Sequence, residues 1–259
     1  MALTSVKSVR DLEAVYVLAP ERYDPRRESL ASADIQSVPL RTLVTSNRKM
    51  VAAGDDSARR CLVFDTSDAR EGIVIGRGKK QTVGELGSAK KSIEPRDVII
   101  SRLRPYLRQV ALVDKEMPNA IGDTLVLCST EFFVLRPADE LSIAFLVPFL
   151  LSAPVQKVLA ASQEGGHHPR FNESTLLDLP VPAKLVKDRE AVSDAVQRGI
   201  ALYRESEAGL QALIGRAESL LSVRNETTKH KGAGSRHSSE THEECAGAAR
   251  YCGGTQAGQ

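Results

Sequence analysis

The stretch RDVIISRLRPYLRQVALVD, residues 96–114, contains two runs of β-branched and aliphatic residues on either side of a basic segment. Short apolar runs bounded by turn-forming residues are typical of β-strands, and Pro105 favours a turn between them. Arg102, Arg104 and Arg108 flank this proline. The stretch therefore predicts two strands joined by a basic turn.

Similar runs extend the β-region on both sides of this stretch. RCLVFDTSDA (60–69) and EGIVIGRG (71–78) precede it, and DTLVLCSTEFFVLRP (123–137) follows with one or two more strands. Six or so short strands within about 75 residues predict a twisted sheet that is mixed or mostly antiparallel. Together with the helical segments that follow, this pattern predicts the α+β class.

The apolar period changes after Pro137. The segment 139–162, DELSIAFLVPFLLSAPVQKVLAAS, predicts one long or two short packed helices, because Pro148 and Pro154 suit breaks or first-turn positions. The segment 185–225 has no proline, is rich in Ala, Leu, Glu and Arg, and predicts one long helix. The expected organisation is a domain at 1–182, a long helix at 183–224 and a tail at 225–259.

The long helix carries an apolar seam with a seven-residue period. Its members are Val192, Val196, Tyr203, Leu210, Leu213, Ala217 and Leu220. A seam of about four heptads predicts a coiled coil with another helix. The alternative is a C-terminal helix that lies on its own sheet, and Gly199, Ser206 and Gly209 weaken the seam.

The tail is rich in Gly, Ser and Thr and lacks apolar periodicity, so it is expected to be disordered. Its residues His237, His242, Cys245 and Cys252 do not have the spacing of a common zinc module, and no metal site is predicted. The four widely spaced cysteines do not form a disulfide framework and fit a reducing cytoplasm. The first residues lack the apolar core of a signal peptide, which also favours the cytoplasm.

Positive charge is concentrated in one part of the chain. The formal net charge is only +2, yet residues 41–110 hold fifteen Lys and Arg against eight Asp and Glu. A local excess of this kind is typical of a phosphate-binding face, although a solvated basic surface is the alternative. Aromatic residues make up 4% of the chain and tryptophan is absent, which argues against a stacking platform for single strands.

Catalytic motifs are not recognised. EGIVIGRGKK (71–80) has five residues between Gly72 and Gly78 and no hydroxyl after its lysine pair, so it is not a phosphate-binding P-loop. A hairpin with basic residues at its tip is expected there instead. His167 and His168 lack partners for a metal or base site, and Glu94 and Asp97 lack the glutamate–x–lysine that a nuclease strand needs. The sequence therefore favours a non-catalytic protein.

Four segments resemble the type I restriction–modification specificity subunits. RDVIISRLRPYLRQVALV is similar to that family's strand–turn–strand, and STEFFVLRP (129–137) to its strand ending Val-Leu-Arg-Pro. FLVPFLLSAPVQKVLAAS (145–162) resembles its helical part, and GGHHPRFNESTLLDLPVP (165–182) its Gly-rich loop and proline exit. The resemblance covers about residues 60–224. It departs from the family at KDREAVSDAV (187–196), where Glu-Gln-x-x-Ile is usual, and in having one recognition domain and one helix instead of two.

The resemblance implies a target-recognition domain that binds double-stranded DNA, with a spacer helix that positions a second copy or half-subunit. Partner chains would be an adenine methyltransferase and a translocase/nuclease, which would hold S-adenosylmethionine and ATP with Mg²⁺; no cofactor is expected in this chain. The candidate phosphate contacts are Lys79, Lys80, Lys90 and Lys91, and the candidate base contacts are Arg102, Arg104 and Arg108. Arg170 with Phe171 is a further candidate contact to the DNA backbone, and the alternative is a surface role for Arg170 with Phe171 packed in the core.

Two other functions stay open from the sequence. The chain could be a nuclease or methyltransferase whose catalytic residues are not recognised, which intrinsic cutting or methyl transfer would reveal. It could also be an interaction protein that binds a specificity subunit through the long helix without touching DNA. A gel shift across salt concentrations separates that possibility from a DNA reader.

Overall fold

The structure, a computed structural model, describes residues 6, 8–11, 36–117, 124–164 and 169–231, with side chains described as far as residue 221. Thirteen short strands and five helices follow one another in this part of the chain. The strands are β1 Ser37–Pro39, β2 Val44–Ser46, β3 Met50–Val51, β4 Arg60–Phe64, β5 Ala69–Arg70, β6 Gly72–Val74, β7 Lys79–Thr82, β8 Lys90–Ser92, β9 Val98–Ser101, β10 Val110–Leu112, β11 Leu125–Cys128, β12 Phe132–Pro137 and β13 Pro180–Pro182. The helices are α1 Leu146–Leu151, α2 Ala153–Ala161, α3 Glu173–Leu177, α4 Ala183–Lys187 and α5 Arg189–Lys231.

Two larger sheets form the body of the protein. One has six strands in the order β2-β12-β9-β10-β6-β5, and the other has five in the order β3-β8-β11-β4-β7. Both are mixed, since β10 pairs in parallel with β6 and β11 in parallel with β4, while their other pairs are antiparallel. The predicted α+β class and mixed sheet are confirmed, as are the strands predicted in the 60–137 region, although they divide between two sheets.

Alternation along β9 shows how the core is layered. Val98 and Ile100 face a cluster that includes Leu146, Leu150 and Leu159 of α1 and α2, whereas Ile99 faces a cluster with Leu62 and other residues of the five-stranded sheet. Successive side chains of a strand point to opposite faces, so a strand that is buried on both faces must be apolar throughout. The run VIIS meets this condition. The six-stranded sheet is therefore the middle layer of the body.

The hairpin predicted at residues 71–80 is wrong. β6 belongs to the six-stranded sheet and β7 pairs with β4 in the other sheet, so the chain crosses between sheets instead of turning back on itself. Gly78 permits this crossing because its φ is +60°, and a Cβ atom there would lie 2.8 Å from Cδ1 of Leu62. The glycines of this segment allow a sheet-to-sheet connection.

The extended exit predicted at Pro180 and Pro182 is confirmed. β13 pairs antiparallel with β1 in a separate two-stranded sheet, with Val38 opposite Val181. The amide of Ala183 then donates to the carbonyl of Gln36 at 2.8 Å. Proline has no N–H group to donate to a neighbouring strand. Two prolines therefore fit a short strand that pairs on one side only.

The long helix α5 is anchored to the body over its first turns. Ile200 is buried in the core, and Val192 and Val196 pack against the same cluster. The buried Arg204 donates to Asp114 at 2.9 Å and to the carbonyl of Val74 at 2.7 Å. The first two members of the predicted seam, Val192 and Val196, therefore pack on the body of their own chain. At this end of the helix, the alternative of packing on the body holds.

The chain divides into two compact units, Met1–Glu207 and Ala208–Gln259. In the second unit α5 continues as far as Lys231, seven residues beyond the predicted end of the helix. Leu210, Leu213 and Leu220 are exposed there. The remaining tail, with its histidines and cysteines, lies outside the described residues. Within the described residues, no helix is long and apolar enough to cross a membrane.

Candidate nucleic-acid interface

Strand register brings the ends of six strands together. The end of β9 lies beside the start of β12, with Ser101 opposite Phe132, and the turn 129–131 connects β12 to the end of β11. In the second sheet, Cys128 at the end of β11 lies opposite both Phe64 and Lys91. β7 starts at Lys79 opposite Val63. Residues far apart in sequence therefore share one end of the two sheets.

Ten cationic and six acidic side chains lie at this end, which we call the basic end. The cations are Arg48, Arg70, Arg77, Lys79, Lys90, Lys91, Arg102, Arg104, Arg108 and Arg170, and the acids are Asp65, Asp68, Glu71, Glu131, Glu164 and Glu173. Beside the opposite ends of β9, β10 and β12 stand Glu94, Asp97, Asp114 and Glu116 with Arg96, Lys115 and Arg136. At these strands the two ends therefore differ in charge, with the excess of positive charge at the basic end.

A cleft at the basic end is lined by three cations, Arg77 and Lys79 from the start of β7 and Lys90 from the start of β8. Its volume is about 670 Å³, and Gly78 and Ser129 also line it. The two carboxylates in the same cleft, Asp65 and Asp68, accept hydrogen bonds from backbone amides of the turn at 65–68. Lys79 and Lys90 therefore line the cleft beside two carboxylates that already accept hydrogen bonds from backbone amides. Lys80 lies one residue further into the sheet, opposite Leu62.

Lys91 has a more internal position than the other predicted contacts. Its ammonium group donates to the carbonyl of Phe132 at 2.6 Å and lies 5.5 Å from the ring centre of Phe133. Burial lowers the pKa of Lys91, because desolvation disfavours the charged form. Lys91 therefore links β8 to the start of β12. A contact between Lys91 and DNA would compete with these contacts inside the protein.

Arg102 and Arg170 share one carboxylate. Arg170 makes a two-pronged contact with Glu131, with N–O distances of 3.0 and 2.8 Å, and Arg102 donates to the same carboxylate at 2.8 Å. The hydrogen bonds from Arg170, with those from Arg102, lower the pKa of Glu131 to about 2. Glu131 was not recognised in the sequence, because its partners lie 29 and 39 residues away.

The same contacts fix the segment around Arg170. The amide of Phe171 donates to the carbonyl of Arg102 at 3.2 Å, and Leu103 forms a bridge with Arg170. The Phe171 side chain is buried and its ring centre lies 5.6 Å from that of Phe133. Phe171 is therefore a core residue, and Arg170 remains half-exposed at the surface. Gly165–His168, which the sequence singled out, lie outside the described residues.

A second pair at the basic end was also missed by sequence reasoning. Glu173, at the start of α3, accepts hydrogen bonds from Ser46 and Arg48. Burial opposes ionisation of Glu173, but these two donors outweigh it and lower its pKa. No local pattern marks this contact, since the partners are separated by 127 and 125 residues.

The turn between β9 and β10 is rigid and exposed at its tip. Pro105 is buried, and a 3₁₀ turn over Pro105–Leu107 is closed by hydrogen bonds from Leu107 to Arg104 and from Arg108 to Pro105. Arg104 and Arg108 have φ of 46° and 52°, which side-chain-bearing residues adopt at a cost. Both arginines are exposed on either side of the tip.

The acidic residues weighed as nuclease candidates have structural partners. Asp97 is buried and forms a two-pronged ion pair with Arg136, both contacts at 2.9 Å. Glu94 lies 3.4 Å from the same arginine. Among the described residues there is no cluster of three or more His, Cys, Asp or Glu suited to a metal ion. These carboxylates stabilise the junction of β9 with β12.

Two solved structures are similar to this chain. A structure from the type I R-M system, determined for its complex assembly and conformational transition, matches with a TM-score of 0.48 and 22% identity. The HsdS subunit from Thermoanaerobacter tengcongensis matches with a TM-score of 0.45 and 21% identity. Each match covers 75% of this chain and 46% of the other, so the chain spans about half the length of these structures.

No family model matches the chain. No curated protein matches it either.

Proposed function

We propose that this chain is a sequence-specific reader of double-stranded DNA, a specificity subunit or half-subunit of a type I restriction–modification system. The observation that supports this function is the convergence of seven of the eight predicted DNA contacts on the basic end, although they come from four separate parts of the chain. A duplex carries closely spaced phosphates, and a one-sided positive surface attracts it. The motif resemblance over residues 60–224 points to the same function.

The cations divide into two roles in this proposal. Lys79 and Lys90 line the cleft with Arg77 and contact phosphates, which adds affinity without sequence information. Arg104 and Arg108 stand at the tip of the rigid turn and reach base edges, where a guanidinium group pairs with guanine through two hydrogen bonds. Arg102 shares Glu131 with Arg170, so in this proposal Arg102 is reassigned from the base edges to the backbone, which both arginines contact with a smaller net charge.

A DNA-binding titration at several salt concentrations tests the proposal. The duplex is first selected from a random pool with the purified chain, and binding is then followed by fluorescence anisotropy. Replacing Lys79 or Lys90 with Gln is expected to weaken binding to all duplexes and to reduce the slope of log K against log salt by about 0.9. Arg104→Gln is expected to cost about 1–3 kcal/mol in discrimination at one base pair.

The matched control is Lys115→Gln, which removes one exposed lysine beside the opposite end of β10. It is expected to leave the affinity and the salt slope unchanged. Failure of the chain to enrich any duplex, or an equal effect of the Lys115 and Lys79 variants, would contradict the proposal.

We also propose that the far part of α5 joins a second copy or a second half-subunit. Leu210, Leu213, Ala217 and Leu220 are exposed there and continue the predicted seam. Light scattering after gel filtration is expected to show a dimer that Leu213→Asp dissociates. Leu141→Asp, at an exposed leucine outside the helix, is the control. A wild-type chain that stays monomeric at high concentration would exclude self-association through α5.

The partner chains in this proposal are an adenine methyltransferase and a translocase/nuclease, which hold S-adenosylmethionine and ATP with Mg²⁺. This chain itself contributes recognition and no chemistry. Incubating the purified chain with plasmid, magnesium and S-adenosylmethionine is expected to give neither cutting nor methyl transfer. Either activity would revive the enzyme hypothesis.

A further inference from the structure

Two apolar side chains stand at the tip of the turn between Arg104 and Arg108. Tyr106 is 66% exposed and Leu107 is 43% exposed. All six phenylalanines of the chain are buried, whereas Tyr106 and Tyr203 are exposed among the described residues. Tyr106 is the most exposed aromatic side chain among the described residues. Its position is therefore not explained by packing.

The tip is held in place by the structure below it. Pro105 is buried, helix α2 packs beside the turn, and the carbonyl of Arg108 accepts a hydrogen bond from the amide of Glu71 at 3.4 Å. The base of the turn is fixed as well, because the amide of Ser101 donates to Gln109 at 2.9 Å. Tyr106 and Leu107 are thus presented to solvent on a turn whose base is hydrogen-bonded and packed against the body.

Charge indicates what covers this tip. Arg104 and Arg108 lie on either side of it. Both have the left-handed backbone conformation, which is less accessible to them than to glycine. An apolar group between two cations suits a ligand with anionic edges and an apolar interior. Duplex DNA is such a ligand, since phosphates line both sides of a groove and the faces of the stacked bases between them are apolar.

We propose that Tyr106 and Leu107 form a wedge that enters a groove of the duplex and opens one base step, while Arg104 and Arg108 hold the flanking backbone and base edges. This inference rests on the proposed DNA-reading function and adds to it a deformation of the target. Opening a step has a free-energy cost that depends on the sequence, and it is smallest at pyrimidine–purine steps. The wedge therefore contributes specificity at bases that no hydrogen bond reads.

The experiment uses the full chain and a duplex selected by it from a random pool. The fluorescent base 2-aminopurine replaces adenine at each position of the site in turn, since its emission rises when a base is unstacked. Wild-type protein is expected to raise emission at least about twofold at one step and to leave it unchanged elsewhere. The variant Tyr106→Ser with Leu107→Ser is expected to lose this rise and to bind about 10- to 100-fold more weakly, with an unchanged salt slope.

Leu141→Ser is the matched control, because Leu141 is a similarly exposed leucine beside the opposite end of β12. It is expected to keep both the affinity and the emission change. Binding by the wild type with no emission change at any position would overturn the wedge and leave the proposed function standing. A double variant with the same affinity and the same emission change as the wild type would overturn the wedge too. A chain that binds no duplex would overturn the proposed function, and the wedge with it.

Discussion

Replacing Glu131 with Gln is expected to destabilise the protein at neutral pH and to have little effect in strong acid. The carboxylate receives three hydrogen bonds from Arg102 and Arg170, and its pKa falls to about 2 from an ordinary value near 4.5. At about 1.36 kcal/mol for each pKa unit, the upper bound on the stabilisation is about 3 kcal/mol. The side chains of Arg102 and Arg170 are 36% and 39% exposed, so solvent screening reduces it to about 1–2 kcal/mol.

The sign of the pH dependence follows from the lowered pKa. The folded state holds the charged form more strongly than the unfolded state does, so the stabilisation is complete above about pH 5. It is lost as the pH falls from about 5 towards 2, where Glu131 becomes protonated in both states. Protonated glutamate and glutamine have similar shape and charge. The wild type and Glu131→Gln should therefore converge in stability at low pH.

Urea unfolding followed by circular dichroism at pH 7, 4 and 2.5 measures this difference. Other carboxylates titrate over the same range, but they are common to both proteins and cancel in the comparison. Glu116→Gln, at an exposed glutamate beside the opposite end of β10, is the control and should differ from wild type by less than about 0.5 kcal/mol at every pH. A wild-type advantage that stays the same from pH 7 to pH 2.5 would refute the reasoning.

Three further changes test how the body is held together, each by urea unfolding at pH 7. Arg204→Met should cost about 3–5 kcal/mol, because it leaves the nearly buried Asp114 without its cation, and Asp114→Asn in the same chain should restore part of this loss. Phe171→Ala should cost about 3–5 kcal/mol through the cavity it leaves in the core. Gly78→Ala should cost about 1–3 kcal/mol, because the new methyl group meets Leu62 at a positive φ.

Much of the secondary structure was predictable from local sequence. The runs VIIS and VAL are strands in the structure, and Pro148 and Pro154 lie in the first turns of two short helices, where the fixed φ of proline is tolerated. The long helix was predicted from residues 185–225, which lack proline and are rich in Ala, Leu, Glu and Arg. The segment 71–80 was misread, because the residues of a hairpin and those of a crossing between sheets are alike when the partner strands are unknown.

The candidate site was predictable only in part. The basic turn at Pro105 and the lysine pairs were visible as charge, whereas Glu131 and Glu173 had no local signal. Their roles depend on Arg170 and Arg48, which approach them only after the strands have paired. The same holds for Val192 and Val196, whose heptad spacing fits a partner helix as well as the core on which they pack.

The sequence by itself determined which segments form strands and helices and where positive charge is abundant, because period, proline position and charge are properties of neighbouring residues. Only the tertiary structure decided which strands share an end, which arginines share a carboxylate and which apolar residues remain exposed. Those outcomes depend on contacts between residues tens of positions apart. The free energy that favours these contacts comes from strand pairing and from burial of apolar surface, and both require segments that are distant in sequence.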